Sequence, residues 1–116
     1  MKKTTISIDV SLDVNQVPEK LSWSAPDGGV SDQEAAALFM STWDKDQQES
    51  ARIDLWTKEM PVDQMRVFVH QTLVGIRASY LKATQDAEMG EAFQQFCDFF
   101  AAELKLGNVQ KSKDSN

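Results

Sequence analysis

The single histidine of the chain, His70, is the side chain best suited to proton transfer near neutral pH. A general base also needs a group that orients it, and we consider Asp54 and Asp63 for that role. At about 100° per residue, His70 falls on the flank of a predicted helix, outside the main apolar stripe of that helix. We therefore favour a structural or surface histidine, and an enzyme that uses His70 is the weaker alternative.

Cysteine and carboxylate chemistry is the next class to consider. Cys97 has no second cysteine with which to form a disulfide, and no basic residue stands at helical spacing from it to activate the thiol. Pairs of acidic residues such as Asp44 with Asp46, or Asp54 with Glu59, arise by chance among 18 acidic residues. The sequence therefore predicts no catalytic residue, no metal site and no cofactor, and it predicts that Cys97 packs as a small apolar side chain.

Recognition is a more informative chemistry for this chain. Alternation along a predicted strand places Trp56 beside Arg52, Asp54 and Lys58 on its polar face. Exposed tryptophan among charged residues is typical of protein-recognition surfaces. The alternative is that polar neighbours or a loop cover the ring. Together with His70, these four residues form our predicted partner-binding set.

A second apolar stripe runs along the predicted helix that carries His70. Val67, Val74 and Leu81 are seven residues apart and lie nearly opposite the main stripe. Either the helix is sandwiched between a sheet and another helix, which we favour, or this stripe is an exposed helix interface for a partner.

These residues depend on the strands and helices that position them. Residues 5–14 alternate between apolar and polar side chains, and residues 21–25 do so again after a turn, which predicts a β-hairpin. Pro18 lacks a backbone N–H and belongs at a strand's start or on an edge, so the second strand is expected to be outermost. Residues 49–58 alternate as well and predict a third strand.

Three helices are expected around this sheet. Ser31 to Glu34 matches a capping box and predicts a helix that ends between Asp44 and Gln48. A second helix is predicted from Pro61, and a third over 89–104 with Gly107 as its cap. A right-handed crossover through the first helix gives the strand order 2-1-3.

The predicted fold is α+β with the order ββαβαα: a three-stranded mixed sheet with three helices packed on one face. It forms a single domain over residues 1–107, followed by a disordered polar tail over 108–116. A net charge of −6 argues against nucleic acid as a partner. The first ten residues contain no unbroken apolar run, so we expect neither a signal peptide nor direct membrane insertion, and a cytoplasmic location.

The wording of the sequence resembles the gliding-motility protein C (GldC) family of gliding bacteria. The resemblance is strongest over nine consecutive residues, Arg52-Ile53-Asp54-Leu55-Trp56-Thr57-Lys58-Glu59-Met60. It also includes Val17-Pro18-Glu19-Lys20, Asp27-Gly28-Gly29, Trp43-Asp44, Val62-Asp63, Met65, Phe68, His70-Gln71-Thr72-Leu73, Ala83-Thr84, Phe96-Cys97-Asp98 and Phe100-Ala101.

The resemblance implies a small cytoplasmic accessory protein associated with gliding motility, with no catalytic residue to carry over. We expect it to act by binding another protein, a component of the gliding machinery, and a homo-oligomer is a further expectation. The alternative is a domain that binds a small ligand or an unfolded segment in a pocket between the sheet and the long helix.

Overall fold

The computed structural model describes residues 1–106, which form an α+β protein. The chain divides into two compact units, Met1–Pro61 and a second that begins at Val62. The first contains every strand of the described residues, and the second contains two helices. In chain order the elements are β1 (Ser7–Leu12), β2 (Pro18–Ala25), a single 3-10 turn (Pro26–Gly28), β3 (Val30–Ala35), β4 (Ala37–Asp44), β5 (Glu49–Trp56), α1 (Val62–Thr84) and α2 (Ala87–Glu103).

The first three strands form an antiparallel sheet in the order β1-β2-β3. The turn between β1 and β2 is fixed by Asp13, whose carboxylate accepts hydrogen bonds from the backbone N–H groups of Asn15 (2.8 Å) and Val17 (3.0 Å). Val10 pairs with Leu21, so the alternating apolar residues of both strands share one face of the sheet. Leu21 is fully buried there.

The strands β4 and β5 form a separate two-stranded antiparallel sheet. Their turn depends on Asp44, whose carboxylate accepts hydrogen bonds from the N–H groups of Asp46 (3.0 Å) and Gln47 (2.9 Å). Gln48 closes the turn with φ of 56° and donates its N–H to the Asp44 carbonyl at 2.8 Å. The polar stretch 44–48 is thus a hairpin turn, not the end of a helix.

The helix predicted from Ser31 is wrong, because this segment forms β3 and β4. Glu34 pairs with Ser22 of β2, and Asp32 takes a left-handed φ of 49° that no helix interior tolerates. The N–H of Asp32 donates to the Ser24 hydroxyl at 2.8 Å. Cross-strand pairing therefore outweighs the local capping pattern of residues 31–34, and no helix forms there.

The predicted sheet is also wrong in its order and extent. β2 is the central strand of the first sheet, and Pro18 stands at its first position, as one of the two expected alternatives. The predicted third strand exists as β5, but it pairs with β4 in the second sheet. The order ββαβαα is therefore replaced by βββββαα, with two helices rather than three in residues 1–106. Because residues 31–44 form no helix, there is no helical crossover between β2 and β5, and the basis for the strand order 2-1-3 is removed.

Both later helices are confirmed. α1 begins immediately after Pro61, and the side chain of Asp86 caps α2 by accepting the N–H of Met89 at 3.0 Å. The predicted cap at Gly107 and the predicted disordered tail over 108–116 lie outside the described residues. The single-domain boundary at residue 107 stays a prediction. No helix within residues 1–106 has the length and apolar character needed to span a membrane.

Candidate functional site

The β4–β5 hairpin carries the residues that the sequence singled out for recognition. Its register places Arg52, Asp54 and Trp56 of β5 on the same face as Trp43 of β4. We call this the Trp56 face, made of Ala37, Phe39, Ser41, Trp43, Ser50, Arg52, Asp54 and Trp56. Trp43 is 67% exposed and Trp56 is 44% exposed. The hairpin therefore presents tryptophan near both of its ends.

Arg52 and Asp54 form an ion pair between the two tryptophan positions. One guanidinium nitrogen of Arg52 donates to both carboxylate oxygens of Asp54, at 2.7 and 2.9 Å. The side chains of Arg52 and Asp54 are 55% and 50% exposed, so the pair contributes little to stability. The pair is locally neutral because the two charges compensate each other.

The end of β5 is fixed by hydrogen bonds within the first unit. The indole Nε1 of Trp56 donates to the Met60 carbonyl at 3.0 Å. Thr57 is buried, and its backbone N–H (2.9 Å) and hydroxyl (2.7 Å) both donate to the Ala36 carbonyl. The Trp56 ring is thus held at one edge while a large part of its surface stays exposed.

Lys58 is held by the β1–β2 turn rather than standing free beside Trp56. Its Nζ lies 2.9 Å from the Asp13 carboxylate, and its backbone N–H donates to the Pro18 carbonyl at 3.3 Å. The hydrogen bond from Lys58, followed by that from the N–H of Val17, lowers the pKa of Asp13 to about 2. The same contact with Asp13 raises the pKa of Lys58. Sequence gave no sign of this pair because its members are 45 residues apart.

His70 belongs to the second unit and is buried in it. Its Nε2 lies 3.1 Å from the Cys97 carbonyl, and because a carbonyl only accepts, Nε2 carries the proton. The ring stacks on Phe100 with a centroid distance of 6.0 Å. The other nitrogen, Nδ1, is buried without a hydrogen bond among the described residues. These contacts fix the ring between α1 and α2.

The carboxylates considered as partners of His70 have other contacts. Asp54 pairs with Arg52, and Asp63 accepts the backbone N–H of Gln64 at 3.0 Å. Within residues 1–106, no group of three or more His, Cys, Asp or Glu side chains is arranged to hold a metal ion. The prediction that Cys97 is buried is confirmed, and burial, followed by the nearby Asp98 charge, raises the pKa of its thiol.

In the second stripe of α1, Leu81 contacts α2. Leu81 packs so closely against Gly90 that a Cβ at position 90 would clash with the Leu81 side chain. Arg77, on the same side of α1, donates its Nε to the Gly90 carbonyl at 2.8 Å. Val67 is half-buried and Val74 is 42% exposed. The α1–α2 contact therefore uses the Leu81 end of this stripe and leaves Val74 accessible.

An apolar cavity that was not predicted from the sequence lies within the first unit. Its volume is about 520 Å³, in the range of small-ligand sites. It is lined by Ile6, Ile8, Trp23, Ala35, Ala37, Leu38, Phe39 and Met40. The available signal was the alternation in β1 and β2, which places Ile8 opposite Trp23 on one face. The incorrect helix assignment concealed the contribution of β4.

Comparison with known proteins gives one match. The model of the gliding motility-associated GldC-like family matches residues 18–106. A search of curated proteins finds no match. A search of solved structures finds none either. The matched region begins at β2 and extends through α2, so it includes the β4–β5 hairpin and both helices but not β1. The chain belongs to the GldC-like family of gliding motility-associated proteins.

Proposed function

We propose that this chain is a non-catalytic accessory protein of the gliding machinery, and that it acts by binding another protein through the Trp56 face. The observation that carries the proposal is the pair of exposed tryptophans, Trp43 and Trp56, on one face of a hairpin that also carries the Arg52–Asp54 ion pair. Tryptophan and arginine are the residues most often found at the energetic centres of protein interfaces.

The test of this proposal compares the two faces of the hairpin. Tagged wild-type protein and the variants Trp43→Ala, Trp56→Ala and Ile53→Ala are expressed in the source cells, and captured gliding proteins are quantified by mass spectrometry. Ile53 is exposed but lies on the opposite face of the hairpin, so its variant is the matched control. We expect both tryptophan variants to lose at least about tenfold of the captured partner, while Ile53→Ala retains it. Equal recovery in all four samples would remove the Trp56 face from the proposal.

A cytoplasmic location is part of the proposal, and it rests on a free, buried Cys97 in a chain that has no second cysteine. Cell fractionation tests it directly. Recovery of the untagged protein in a periplasmic or secreted fraction would contradict it.

A second candidate function is binding of a small apolar ligand or an apolar segment of an unfolded chain. The cavity of about 520 Å³ favours it, because its lining residues are all apolar. The fluorescent probe 1-anilinonaphthalene-8-sulfonate should bind the wild type and bind Ala35→Phe much more weakly, since a phenyl ring at position 35 fills the cavity. Thermal unfolding checks that the variant folds. Equal probe binding by two folded proteins would exclude the cavity as the site.

A further inference from the structure

The strand β1 is an edge strand of its sheet. It pairs with β2 on one side only, within the sheet β1-β2-β3. Natural proteins protect such edges with charged side chains, above all lysine, with proline or a bulge, or they cover them. From Ser7 to Leu12 there is no proline or lysine, and Asp9 is the one charged residue. The bulge near Leu12 has its extra residue, Glu19, in β2. On the apolar face of this edge strand, Val10 is 39% exposed and Leu12 is 48% exposed.

The sequence of β1 is nearly symmetric about Val10. Moving outward from it, the residue pairs are Asp9 with Ser11 and Ile8 with Leu12. If two β1 strands pair antiparallel with Val10 at the centre, Val10 meets its own copy and Ile8 lies opposite Leu12 of the second copy. Asp9 then lies opposite Ser11 of the second copy. Each apolar residue meets an apolar residue, and no carboxylate faces another carboxylate.

Other registers of β1 against itself are less favourable. Pairing centred on Asp9 would place two carboxylates directly opposite each other, which is unfavourable in a chain with a net charge of −6. Pairing centred between Asp9 and Val10 would bring the apolar face of one sheet to the polar face of the other. Pairing centred on Ile8 or on Ser11 also matches apolar with apolar residues, but it pairs only three residues of β1, whereas pairing centred on Val10 pairs the five from Ile8 to Leu12. The Val10 register is therefore the longest one that matches the apolar faces and opposes no carboxylates, and the strand that fits it is a second copy of β1.

We propose that two copies of this chain associate by antiparallel pairing of β1 with β1, about a two-fold axis at Val10. The pairing joins two three-stranded sheets into one sheet of six strands and removes the free outer edge of β1 from both copies. A two-fold interface of this kind uses the same surface on each subunit, as the symmetry of the β1 sequence requires.

The association also changes the apolar cavity of each copy. Ile8 lines that cavity, and in the proposed register Leu12 of the second copy lies opposite Ile8 on the same face of the sheet. Each chain thus adds an apolar side chain beside the cavity of the other. Ligand binding at this cavity is therefore expected to be linked to dimerisation.

A charge exchange across the interface tests the register. In Ser11→Asp, the new carboxylate faces Asp9 of the second copy, and symmetry repeats the contact. Sedimentation equilibrium should show self-association at least about tenfold weaker than in the wild type. Within one chain, position 11 pairs with Lys20, so the monomer should keep its fold, as circular dichroism would verify. The double variant Asp9→Lys/Ser11→Asp restores opposite charges across the interface and should recover wild-type association.

A symmetric cross-link tests the axis independently. Paired residues in antiparallel strands have Cα atoms about 4.5 to 5.5 Å apart, within the range of a disulfide. Oxidised Val10→Cys should therefore form a covalent dimer, whereas Ser7→Cys, which does not face its own copy, should not. The wild type, whose Cys97 is buried, is the background control.

Three results would overturn the proposal. A wild type that remains monomeric across the accessible concentration range excludes the dimer. A dimer that is insensitive to Ser11→Asp and gives no Val10→Cys cross-link uses another surface. Equal cross-linking through positions 7 and 10 shows that β1 pairs without the proposed register. None of these results bears on capture through the Trp56 face, so the two proposals fail separately.

Discussion

The α1–α2 hairpin and the β4–β5 hairpin are both two-element structures joined by a short turn, yet they differ in where their side chains are used. The helical pair places His70, Gly90 and Cys97 in buried positions where the two helices meet. In the β-hairpin, no residue from Ala37 to Trp56 is buried. The helical pair therefore buries its distinctive residues in packing contacts, whereas the β-hairpin leaves aromatic and charged side chains accessible.

This difference separates residues that the sequence had grouped together. His70 and Trp56 both belonged to the predicted partner-binding set, but His70 is engaged by Cys97 and Phe100 while 44% of Trp56 is exposed. A partner can reach Trp56 without any rearrangement of the hairpin. To reach His70, it would first have to open the contact between the helices. Changes in the helical pair should therefore affect stability, and changes in the Trp56 face should affect binding.

The largest expected effect on stability is at His70. His70→Ala removes the hydrogen bond to the Cys97 carbonyl and the packing on Phe100, and should lower the free energy of unfolding by about 2 to 4 kcal/mol. His70→Gln retains an N–H donor and should lose less. Urea denaturation followed by circular dichroism measures both. An unchanged midpoint for His70→Ala would show that the buried contact between the helices does not depend on this ring.

Alanine substitutions at the two glycines of the helices should change the free energy of unfolding in opposite directions. Gly90→Ala should destabilise the protein by about 1 to 3 kcal/mol, because the added Cβ clashes with Leu81. Gly75→Ala should instead stabilise it by about 0.5 to 1 kcal/mol, since a Cβ there meets no atom within 4 Å and alanine favours the helix. Thermal unfolding of both variants tests the contrast. If both variants are stabilised, Leu81 moves aside easily and the contact between the helices is looser than described.

The β-hairpin should tolerate loss of its most exposed side chain. Trp43→Ala is expected to change the free energy of unfolding by no more than about 0.5 kcal/mol, because the side chain is 67% exposed. Chemical denaturation provides the measurement, with Trp56 as the remaining fluorescent reporter in this hairpin. A loss comparable to that of His70→Ala would mean that the Trp56 face has a structural role, and the comparison between the two hairpins would no longer hold.

Sequence reasoning succeeded where one periodicity extended over a whole element. The alternation in β1, β2 and β5 was confirmed, as were the two apolar helices, because each of these segments favours a single structure. The placement of Arg52, Asp54 and Trp56 on one face of β5 followed from alternation alone. A structural role for His70 was one of the predicted possibilities, but its partners Cys97 and Phe100 could not be predicted, because they belong to another helix.

Sequence reasoning failed at residues 31–44, where local and tertiary preferences conflict. The capping pattern at Ser31 and the apolar run from Ala37 to Met40 fit a helix as well as a strand. Pairing of β3 with β2 and of β4 with β5 decides the outcome, and neither pairing is visible in a single sequence. The ion pair of Lys58 with Asp13 was missed for the same reason, and so was the contribution of β4 to the cavity.

The smallest expected effect on stability is at Lys58, which follows β5 and pairs with Asp13. The folded-state pKa of Asp13 is about 2, below its ordinary value of 3.8, so its ionised form stabilises the fold. That contribution is fully present above about pH 4 and is lost as the pH falls through 2. In Lys58→Met, the pKa of Asp13 should rise and this acid-sensitive contribution should shrink, whereas Lys58→Arg should retain most of it. An NMR titration of the Asp13 carboxyl carbon measures the shift in each variant. If the pKa of Asp13 stays near 2 without Lys58, the backbone N–H groups of the β1–β2 turn are sufficient to hold the carboxylate ionised.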